Sequence, residues 1–305
     1  MNERSRDKSA PFSGVIVAMN SCYDSKGRVN PEAVRELTRW LIGSGIGGLY
    51  IGGGTGEGML QTAEERELVL EAVVAETGGA IPVIAHVGAI TTEDSVRLAA
   101  HAEEAGADAI SAVPPFYYAY SEEAVKRHWF AMMEAAKLPF LIYNVPAATG
   151  FTMTTAFLKE LCAHPQLAGI KTTSFSTYEL QQFKAAGGPS FMVFNGPDQQ
   201  YLAGRVMGAS GGIGGTYGAM PELFLRIEQA YLSSDIAEAQ RWQFVVNEFI
   251  TEIRAYGLFG TIKELVRLRG IDCGEPRAPL APLSEQGKSQ VRRLYERMIA
   301  EIERG

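Results

Sequence analysis

Eight short apolar segments, each bounded by glycine or proline, alternate along this chain with longer segments of helical periodicity. The apolar segments are residues 14–19, 48–52, 82–86, 109–113, 140–143, 168–171, 191–194 and 211–214. This alternation is typical of β-strands that are each followed by a helix and that form a parallel sheet. Because eight such units close a ring, and because no convincing phosphate-binding fingerprint is present, we predict an α/β fold. The predicted architecture is a (β/α)8 barrel (TIM barrel) rather than an open doubly wound sheet.

Local signals mark where several of the helices begin and end. Asn30 and Pro31 open one helix, because a side-chain oxygen can accept from the first free N–H groups and proline suits the first helical position. Gly45, Gly78 and Gly106 close three others. These signals support a helix between each pair of predicted strands.

The strand signals stop after about residue 232. The remaining helical segments are residues 235–256, 257–269 and 284–304. We therefore predict an N-terminal tail (residues 1–11), a catalytic barrel (12–232) and a C-terminal helical bundle (233–305). The apolar side chains of this bundle must be buried on the barrel or on another subunit. They include Phe244, Phe249, Ile250, Ile253 and Leu258.

Composition and charge narrow the kind of partner. The 305 residues include 28 lysines and arginines and 35 acids, a net charge of −7. An acidic balance argues against nucleic acid or an anionic membrane as the main partner and favours a small-molecule substrate. The three cysteines, Cys22, Cys162 and Cys273, lie far apart and form no metal-binding motif. With no signal segment and no membrane span in the sequence, we expect a cytoplasmic protein.

Two residues at neighbouring strand ends suggest covalent chemistry. In a (β/α)8 barrel, reacting side chains lie at the carboxyl ends of the strands. Lys171 ends the sixth predicted strand and Tyr143 the fifth. Burial disfavours the charged form of an amine, and the neutral amine is the nucleophile that forms a Schiff base, while a nearby phenol can move protons. Taken singly, each also fits a structural role, as a solvent-reaching or ion-paired lysine and a packed aromatic residue.

Two further strand ends carry polar groups. A glycine-rich turn at residues 52–57 contains Thr55, and its backbone N–H groups and hydroxyl suit a carboxylate or phosphate. The turn lacks the lysine of a P-loop. His86 ends the third strand without another ligand at metal-binding spacing. We therefore predict that His86 is a hydrogen-bonded core residue rather than a metal ligand.

Five sequence motifs at these strand ends narrow the function when they are taken together. They are GGGTGEGMLQTAEER at 52–66, the segment 84–121, YNVPAATG at 143–150, GIKTTS at 169–174 and NGPD at 195–198. In order and position they resemble the dihydrodipicolinate synthase/N-acetylneuraminate lyase family of pyruvate-dependent class I aldolases. The likeness extends over residues 12–282. It implies a barrel with a C-terminal helical bundle, usually assembled as a homotetramer.

The resemblance also implies a role for each motif residue. Lys171 matches the Schiff-base lysine, and Tyr143 matches the proton-shuttling tyrosine. Thr55 and the adjoining backbone match the cradle for the pyruvate carboxylate, and Tyr117 matches a tyrosine contributed by a neighbouring subunit. Because the lysine imine itself is the electron sink, we expect no metal and no organic cofactor.

Within this family the chain looks more like the N-acetylneuraminate lyases than the synthases. The synthase branch has an arginine where this chain has Ala148, which removes a bidentate partner for the carboxylate of the synthase's aldehyde. The lyase branch has a carboxylate-binding glycine, a sugar-binding aspartate and a nearby threonine. Gly196, Asp198 and Thr173 match them.

Four departures from the lyase pattern bear on the substrate. Gly54 stands where a hydroxyl usually links the two tyrosines, and Gln199 replaces a glutamate that grips the sugar tail. Gly215 replaces a serine in the loop after strand eight, and residues 21–23 (SCY) replace TPF after strand one. Each change removes or alters a polar contact, which favours a site with more room and a different sugar acid.

We therefore expect a lyase that cleaves or forms a carbon–carbon bond between pyruvate and an aldehyde through a Lys171 imine. Its expected substrate is N-acetylneuraminate or a related 2-keto-3-deoxy sugar acid. Two alternatives use the same imine: a keto-deoxy sugar acid dehydratase and a 4-hydroxy-tetrahydrodipicolinate synthase. A third is a non-catalytic pyruvate-binding regulatory protein, since a fold does not fix a function.

Overall fold

Eight parallel strands form a closed ring in the computed structural model, which describes residues 12–304. The predicted tail of residues 1–11 lies outside the described residues. The strands are β1 (Gly14–Ala18), β2 (Gly48–Ile51), β3 (Val83–His86), β4 (Ala109–Ala112), β5 (Phe140–Asn144), β6 (Leu167–Thr172), β7 (Met192–Asn195) and β8 (Gly211–Gly214). Each strand pairs with the next, and β1 pairs with β8. The predicted (β/α)8 barrel is confirmed, and every predicted strand boundary lies within one residue of the observed one.

Helices follow the strands and continue beyond the barrel. They are α1 (Pro31–Gly43), α2 (Ala63–Thr77), α3 (Thr92–Ala105), α4 (Glu122–Ala135), α5 (Pro146–Thr149), α6 (Thr155–Leu161), α7 (Thr177–Gly187), α8 (Tyr201–Val206), α9 (Pro221–Leu232), α10 (Ile236–Tyr256), α11 (Leu258–Leu268) and α12 (Glu285–Arg304). The predicted cap signals are confirmed: the Asn30 side chain accepts from the backbone N–H of Ala33. Gly78 and Gly106 end α2 and α3 with left-handed φ values of 52° and 88°.

The core has two layers, which follow from the alternation of side chains along each strand. In β1, Ile16 and Ala18 point into the ring, where they belong to the same buried cluster as Tyr50. Val15 and Val17 point outward and pack in the cluster between the strands and the helices. The ring is therefore filled with side chains below its carboxyl end, and the open space lies above that end.

Helix α10 is fixed against the loop that follows β7. Gln243 Oε1 accepts a hydrogen bond from the backbone N–H of Leu202 at 2.9 Å. One helical turn later, Asn247 Nδ2 donates to the carbonyl oxygen of Gln199 at 3.0 Å. Of the apolar residues expected to be covered, Phe249 and Ile253 are buried within the chain, whereas Phe244 is 60% exposed. In residues 12–304, no helix combines the length and apolar character needed to cross a bilayer.

A buried ion pair connects the turn after β2 with α11. Glu57, in a left-handed conformation with φ 54°, has a buried carboxylate that lies 2.9 Å from Lys263 Nζ. The same carboxylate accepts from Ser21 Oγ at 2.5 Å and from the backbone N–H of Arg277 at 2.7 Å. The Lys263 ammonium also lies 4.4 Å from the ring centroid of Tyr23. The altered segment after β1 therefore belongs to this network.

We predict that one buried histidine makes the protein less stable in acid. His128 in α4 is 3% exposed and lies 2.8 Å from Thr92 Oγ1, and burial lowers its pKa from 6.5 to about 4. Between these values the unfolded state binds the proton and the folded state does not, so stability is lost as the pH falls through this range. Between pH 8 and pH 5, the free energy of unfolding should fall by about 2 kcal/mol because of this group.

Urea unfolding of wild type and His128→Gln at both pH values measures this contribution. The variant should lose about 2 kcal/mol less than wild type on acidification, since every other titrating group is shared. An identical pH dependence in the two proteins would contradict the assignment.

Candidate active site

Lys171 and Tyr143 lie side by side at the carboxyl end of the barrel. The two residues are directly paired in the register between β5 and β6. Lys171 is 5% exposed, and its Nζ lies 4.1 Å from the ring centroid of Tyr143 and 4.5 Å from that of Tyr50. The two tyrosine rings meet edge to face at 6.1 Å. The amine is therefore held between aromatic faces inside the ring of strands, where the sequence predicted it.

The amine of Lys171 is not held by an acid. Among residues 12–304 it forms no ion pair and no hydrogen bond. Its charge acts on neighbours at a distance: burial, Arg66 and Lys171 together lower the pKa of His86 well below its ordinary value. Aromatic faces attract a cation but leave the nitrogen lone pair of the neutral amine free to react. The structural alternative of an ion-paired lysine is therefore wrong for the described residues.

A cavity of about 520 Å³ opens above the amine. Its lining includes most of the residues singled out from the sequence. These are Thr55, Tyr143, Lys171, Thr173, Gly196, Asp198, Gln199 and Gly215. The volume falls in the usual range for small-molecule sites, roughly 300–1,000 Å³, and exceeds what a three-carbon acid alone requires. The cavity therefore has room for a second fragment beside a short keto acid.

The phenol of Tyr143 has a weak polar contact with Thr173. Thr173 Oγ1 donates toward Tyr143 Oη at 3.5 Å, the long limit of a hydrogen bond. The hydroxyl of the neighbouring Tyr50 donates instead to Ser111 Oγ at 3.0 Å, and burial raises the pKa of Tyr50 well above the ordinary value. Of the two tyrosines around the amine, Tyr143 is the one that lines the cavity and can exchange protons with a ligand.

Asp198 places a buried carboxylate in the cavity wall. One of its oxygens accepts from the backbone N–H of Thr216 at 2.8 Å and from the Thr216 hydroxyl at 2.5 Å. Burial raises the pKa of Asp198, while the hydrogen bonds from Thr216 and the charges of Lys171 and Arg254 oppose that rise. The second carboxylate oxygen is available to accept from a ligand hydroxyl.

Neighbouring atoms leave no space for a side chain at two glycines of the cavity wall, whereas Gly54 nearby has open space. A Cβ at Gly196 would lie 2.2 Å from Thr173 Oγ1 and 2.7 Å from a backbone oxygen of Thr172. A Cβ at Gly215 would lie 2.5 Å from Thr55 Oγ1. A Cβ added at Gly54 would have no atom within 4 Å in the described part of the chain. The threonine side chain therefore occupies the space that a serine at position 215 would need, whereas a side chain at position 54 fits.

Two predicted site residues lie away from the cavity of this single chain. Gly54 is not part of the lining, although its neighbour Thr55 is. Tyr117 is 86% exposed, adopts a left-handed φ of 84°, and contacts Tyr118 edge to face at 5.0 Å. Its ring points to solvent at the loop after β4, so within one chain it does not meet Lys171.

The C-terminal helices supply part of the cavity wall that the sequence analysis did not predict. Ile250 and Arg254 of α10 and Leu258 of α11 line it. Gln243, Asn247, Ile250 and Arg254 follow one another at spacings of four, three and four residues, which places them on one face of a helix. That face was readable in the sequence, but its docking against the loop after β7 was not.

His86 is a buried, hydrogen-bonded residue at the end of β3. His86 Nε2 accepts a hydrogen bond from the backbone N–H of Val113 at 3.3 Å, and the ring is 4% exposed. The prediction of a hydrogen-bonded core histidine is confirmed. Between residues 12 and 304, no group of three or more histidine, cysteine or acidic side chains is arranged to hold a metal ion.

Comparisons with known proteins agree with this geometry. Residues 11–298 match the model of the dihydrodipicolinate synthetase family. The chain is 40% identical over 279 residues to an N-acetylneuraminate lyase of Mediterraneibacter gnavus, covering 90% of this chain and 89% of that protein. It is 37% identical to an N-acetylneuraminate lyase 2 of Escherichia coli, covering 96% of both chains.

A solved structure gives the same result for the fold. The wild-type sialic acid aldolase of Ruminococcus gnavus superposes with a TM-score of 0.94 at 38% identity, covering 96% of this chain and 98% of that one. The resemblance stated from the sequence motifs is confirmed.

We predict opposite outcomes for the same substitution at two of the glycines. Gly196→Ala should lower the free energy of unfolding by about 1–3 kcal/mol, because the added methyl group overlaps Thr173 and the backbone of Thr172. Gly54→Ala should change it by less than about 1 kcal/mol, because the position is open. Urea unfolding curves measure both, and equal effects at the two positions would contradict the described packing.

Proposed function

The chain belongs to the dihydrodipicolinate synthetase family, and from that premise we propose that it is a pyruvate-dependent carbon–carbon lyase that works through an imine on Lys171. The observation that carries this proposal is the unpaired amine of Lys171 at the floor of the cavity, between the rings of Tyr143 and Tyr50. A buried lysine without an acid partner has no evident structural use and is suited to nucleophilic attack.

The proposed reaction begins when Lys171 Nζ attacks the keto carbon C2 of a 2-keto-3-deoxy sugar acid. Loss of one water, with uptake of one proton that is released again when the amine is restored, gives a protonated imine. The electrons of the C3–C4 bond then move into the imine while the C4 hydroxyl loses its proton, which releases an aldehyde and leaves an enamine. Protonation at C3 and addition of one water release pyruvate and restore the amine.

The neighbouring residues fit separate roles in these steps. Tyr143, beside the amine, is proposed to carry the proton between the C4 hydroxyl and solvent or the enamine. Thr55 and the adjoining turn are proposed to hold the substrate carboxylate, and Gly196 leaves room beside Thr173. Asp198 is proposed to accept from hydroxyl groups of the sugar chain. The protein groups alone supply the electron sink and the proton carrier.

The substrate is proposed to be N-acetylneuraminate or a related 2-keto-3-deoxy sugar acid. The support comes from the relatives, which are named N-acetylneuraminate lyases and align over nearly the whole chain. Gln199 lines the cavity with an amide where the lyase pattern has a carboxylate. Gly215 lines it without a side chain where the pattern has a serine hydroxyl. The sugar tail therefore meets a different set of polar groups here.

We also propose that the enzyme is a cytoplasmic homotetramer. The support for the assembly is Tyr117, whose ring is exposed apart from its contact with Tyr118 and which matches a tyrosine that a neighbouring subunit contributes. Its left-handed φ of 84° is costly for a tyrosine, and such strain is commonly retained where a residue has a functional role.

Trapping the imine tests the proposed function. Incubation with pyruvate and borohydride should reduce the imine to a stable secondary amine, and peptide mass spectrometry should place the adduct on Lys171. Lys263 is a matched control within the same chain, because it is equally buried at 3% exposure but is paired with Glu57. Lys171→Met should abolish the adduct and the release of pyruvate from sugar acids.

Three outcomes would contradict the proposal in different ways. An unmodified Lys171 would overturn the imine mechanism. An adduct on Lys171, together with loss of water from the sugar acid but no release of pyruvate and aldehyde, would indicate a dehydratase. An adduct without turnover of any sugar acid would indicate a pyruvate-binding regulatory protein.

Turnover should depend on the two proposed tyrosines but not on a neighbouring one. Tyr143→Phe should retain the trapped adduct and lose on the order of 10²-fold or more in kcat, as expected for a positioned proton carrier. Tyr117→Phe should also lower kcat, whereas Tyr118→Phe, equally in an exposed position on the same loop, serves as the control. Normal turnover of Tyr143→Phe, measured by coupled assay of pyruvate, would show that it is a packing residue.

A further inference from the structure

Arg254 brings a cation to the cavity from the C-terminal helices. It lies in the last turn of α10, on the same helical face as Gln243, Asn247 and Ile250. Because Gln243 and Asn247 are hydrogen-bonded to the loop after β7, this face of the helix is fixed against the cavity wall. The backbone that carries Arg254 is therefore held in place, and its side chain lines the cavity together with Ile250.

No acid forms an ion pair with this guanidinium in the part of the chain that the structure describes. Three arginines of the C-terminal helices are each paired with an acid: Arg241 with Glu238, Arg267 with Glu264 and Arg297 with Glu252. Arg254 has no ion pair or side-chain hydrogen bond within residues 12–304, and it is exposed to the cavity mouth. Its five donors are therefore free for a ligand.

Among the charged groups of residues 12–304 that face the cavity, only Arg254 has a guanidinium, and it forms no direct contact with an anion. These groups are the cations Lys171 and Arg254 and the single carboxylate of Asp198, with Tyr143 as the remaining titratable group. Asp198 is held by Thr216, and the adjacent Gln199 is a neutral amide. Once Lys171 has become a protonated imine, its charge is matched by the carboxylate of the keto acid itself. Asp198 is hydrogen-bonded to Thr216 and acts on Arg254 only through its charge, so within the described chain the guanidinium still forms no direct pair with an anion.

We propose that Arg254 determines specificity by binding an anionic group, a carboxylate or a phosphate, at the end of the substrate opposite to the keto acid. The substrate class is then a 2-keto-3-deoxy sugar acid with two anionic ends, and the aldehyde fragment carries the second one. This inference rests on the proposed function. A guanidinium matches the planar arrangement of oxygens in either group with two parallel hydrogen bonds, which a hydroxyl cannot provide.

Three aldehydes that differ in one group test the inference in the direction of bond formation with pyruvate. Mannose ends in a neutral hydroxymethyl group, mannuronate in a carboxylate and mannose 6-phosphate in a phosphate. Wild type should have a kcat/KM about 10-fold or more higher for one of the anionic aldehydes than for mannose. Which of the two is preferred distinguishes carboxylate from phosphate.

The variant Arg254→Gln should remove this preference. Its kcat/KM should fall about 10-fold or more for the preferred anionic aldehyde and stay within about 2-fold for mannose, mainly through KM. Arg241→Gln on the same helix is the matched control, since Arg241 is exposed and does not line the cavity. It should behave as wild type with all three aldehydes.

The controls separate failure of this inference from failure of the proposed function. A trapped adduct on Lys171 in Arg254→Gln, with equal loss or no loss for charged and neutral aldehydes, overturns the role of Arg254 and leaves the lyase proposal standing. Absence of the adduct in wild type overturns both. A preference for anionic aldehydes that persists in Arg254→Gln shows that another group binds the anion and also overturns the proposal.

Discussion

The arrangement of the site depends on the register between β5 and β6 in a closed ring of strands. Tyr143 and Lys171 are paired partners across that register, so closure of the barrel fixes both at the same height and on the inner side. The amine then lies 4.1 Å from one aromatic centroid and 4.5 Å from another, without an acid to hold it. A slip of either strand by one residue would turn its side chain, Tyr143 or Lys171, out of the barrel, because successive side chains of a strand face opposite sides.

The walls above this floor come from different parts of the chain and contribute different chemistry. Loops after the strands supply small polar groups, and β8 consists mostly of glycine, which lets Asp198 and Tyr217 approach the barrel end closely. The C-terminal helices supply Ile250, Leu258 and the free guanidinium of Arg254. The reacting centre is thus built by the ring, while the shape and charge at the cavity mouth are set by segments that lie outside it.

This division explains what could be predicted from the sequence. Strand ends are local features, bounded by glycine and proline, so the barrel and the positions of Lys171, Tyr143 and Asp198 followed from short segments and from family motifs. Arg254 was missed because its place depends on how α10 docks, which is set by hydrogen bonds from Gln243 and Asn247 to a distant loop. Likewise, the reason for glycine at position 215 is the volume of Thr55, a contact between loops far apart in sequence.

The ion pair of Glu57 and Lys263 ties the far end of the chain to the turn that carries Thr55. The Glu57 carboxylate is fully enclosed, and two of its three partners in the described chain, Lys263 and the backbone N–H of Arg277, come from the C-terminal region, while Ser21 belongs to the barrel. Replacing Lys263 by an apolar residue of similar size would leave a buried, uncompensated negative charge two residues from Thr55, at a cost of several kcal/mol. A different helical end would therefore have to supply a cation in place of Lys263 or be combined with a different loop after β2.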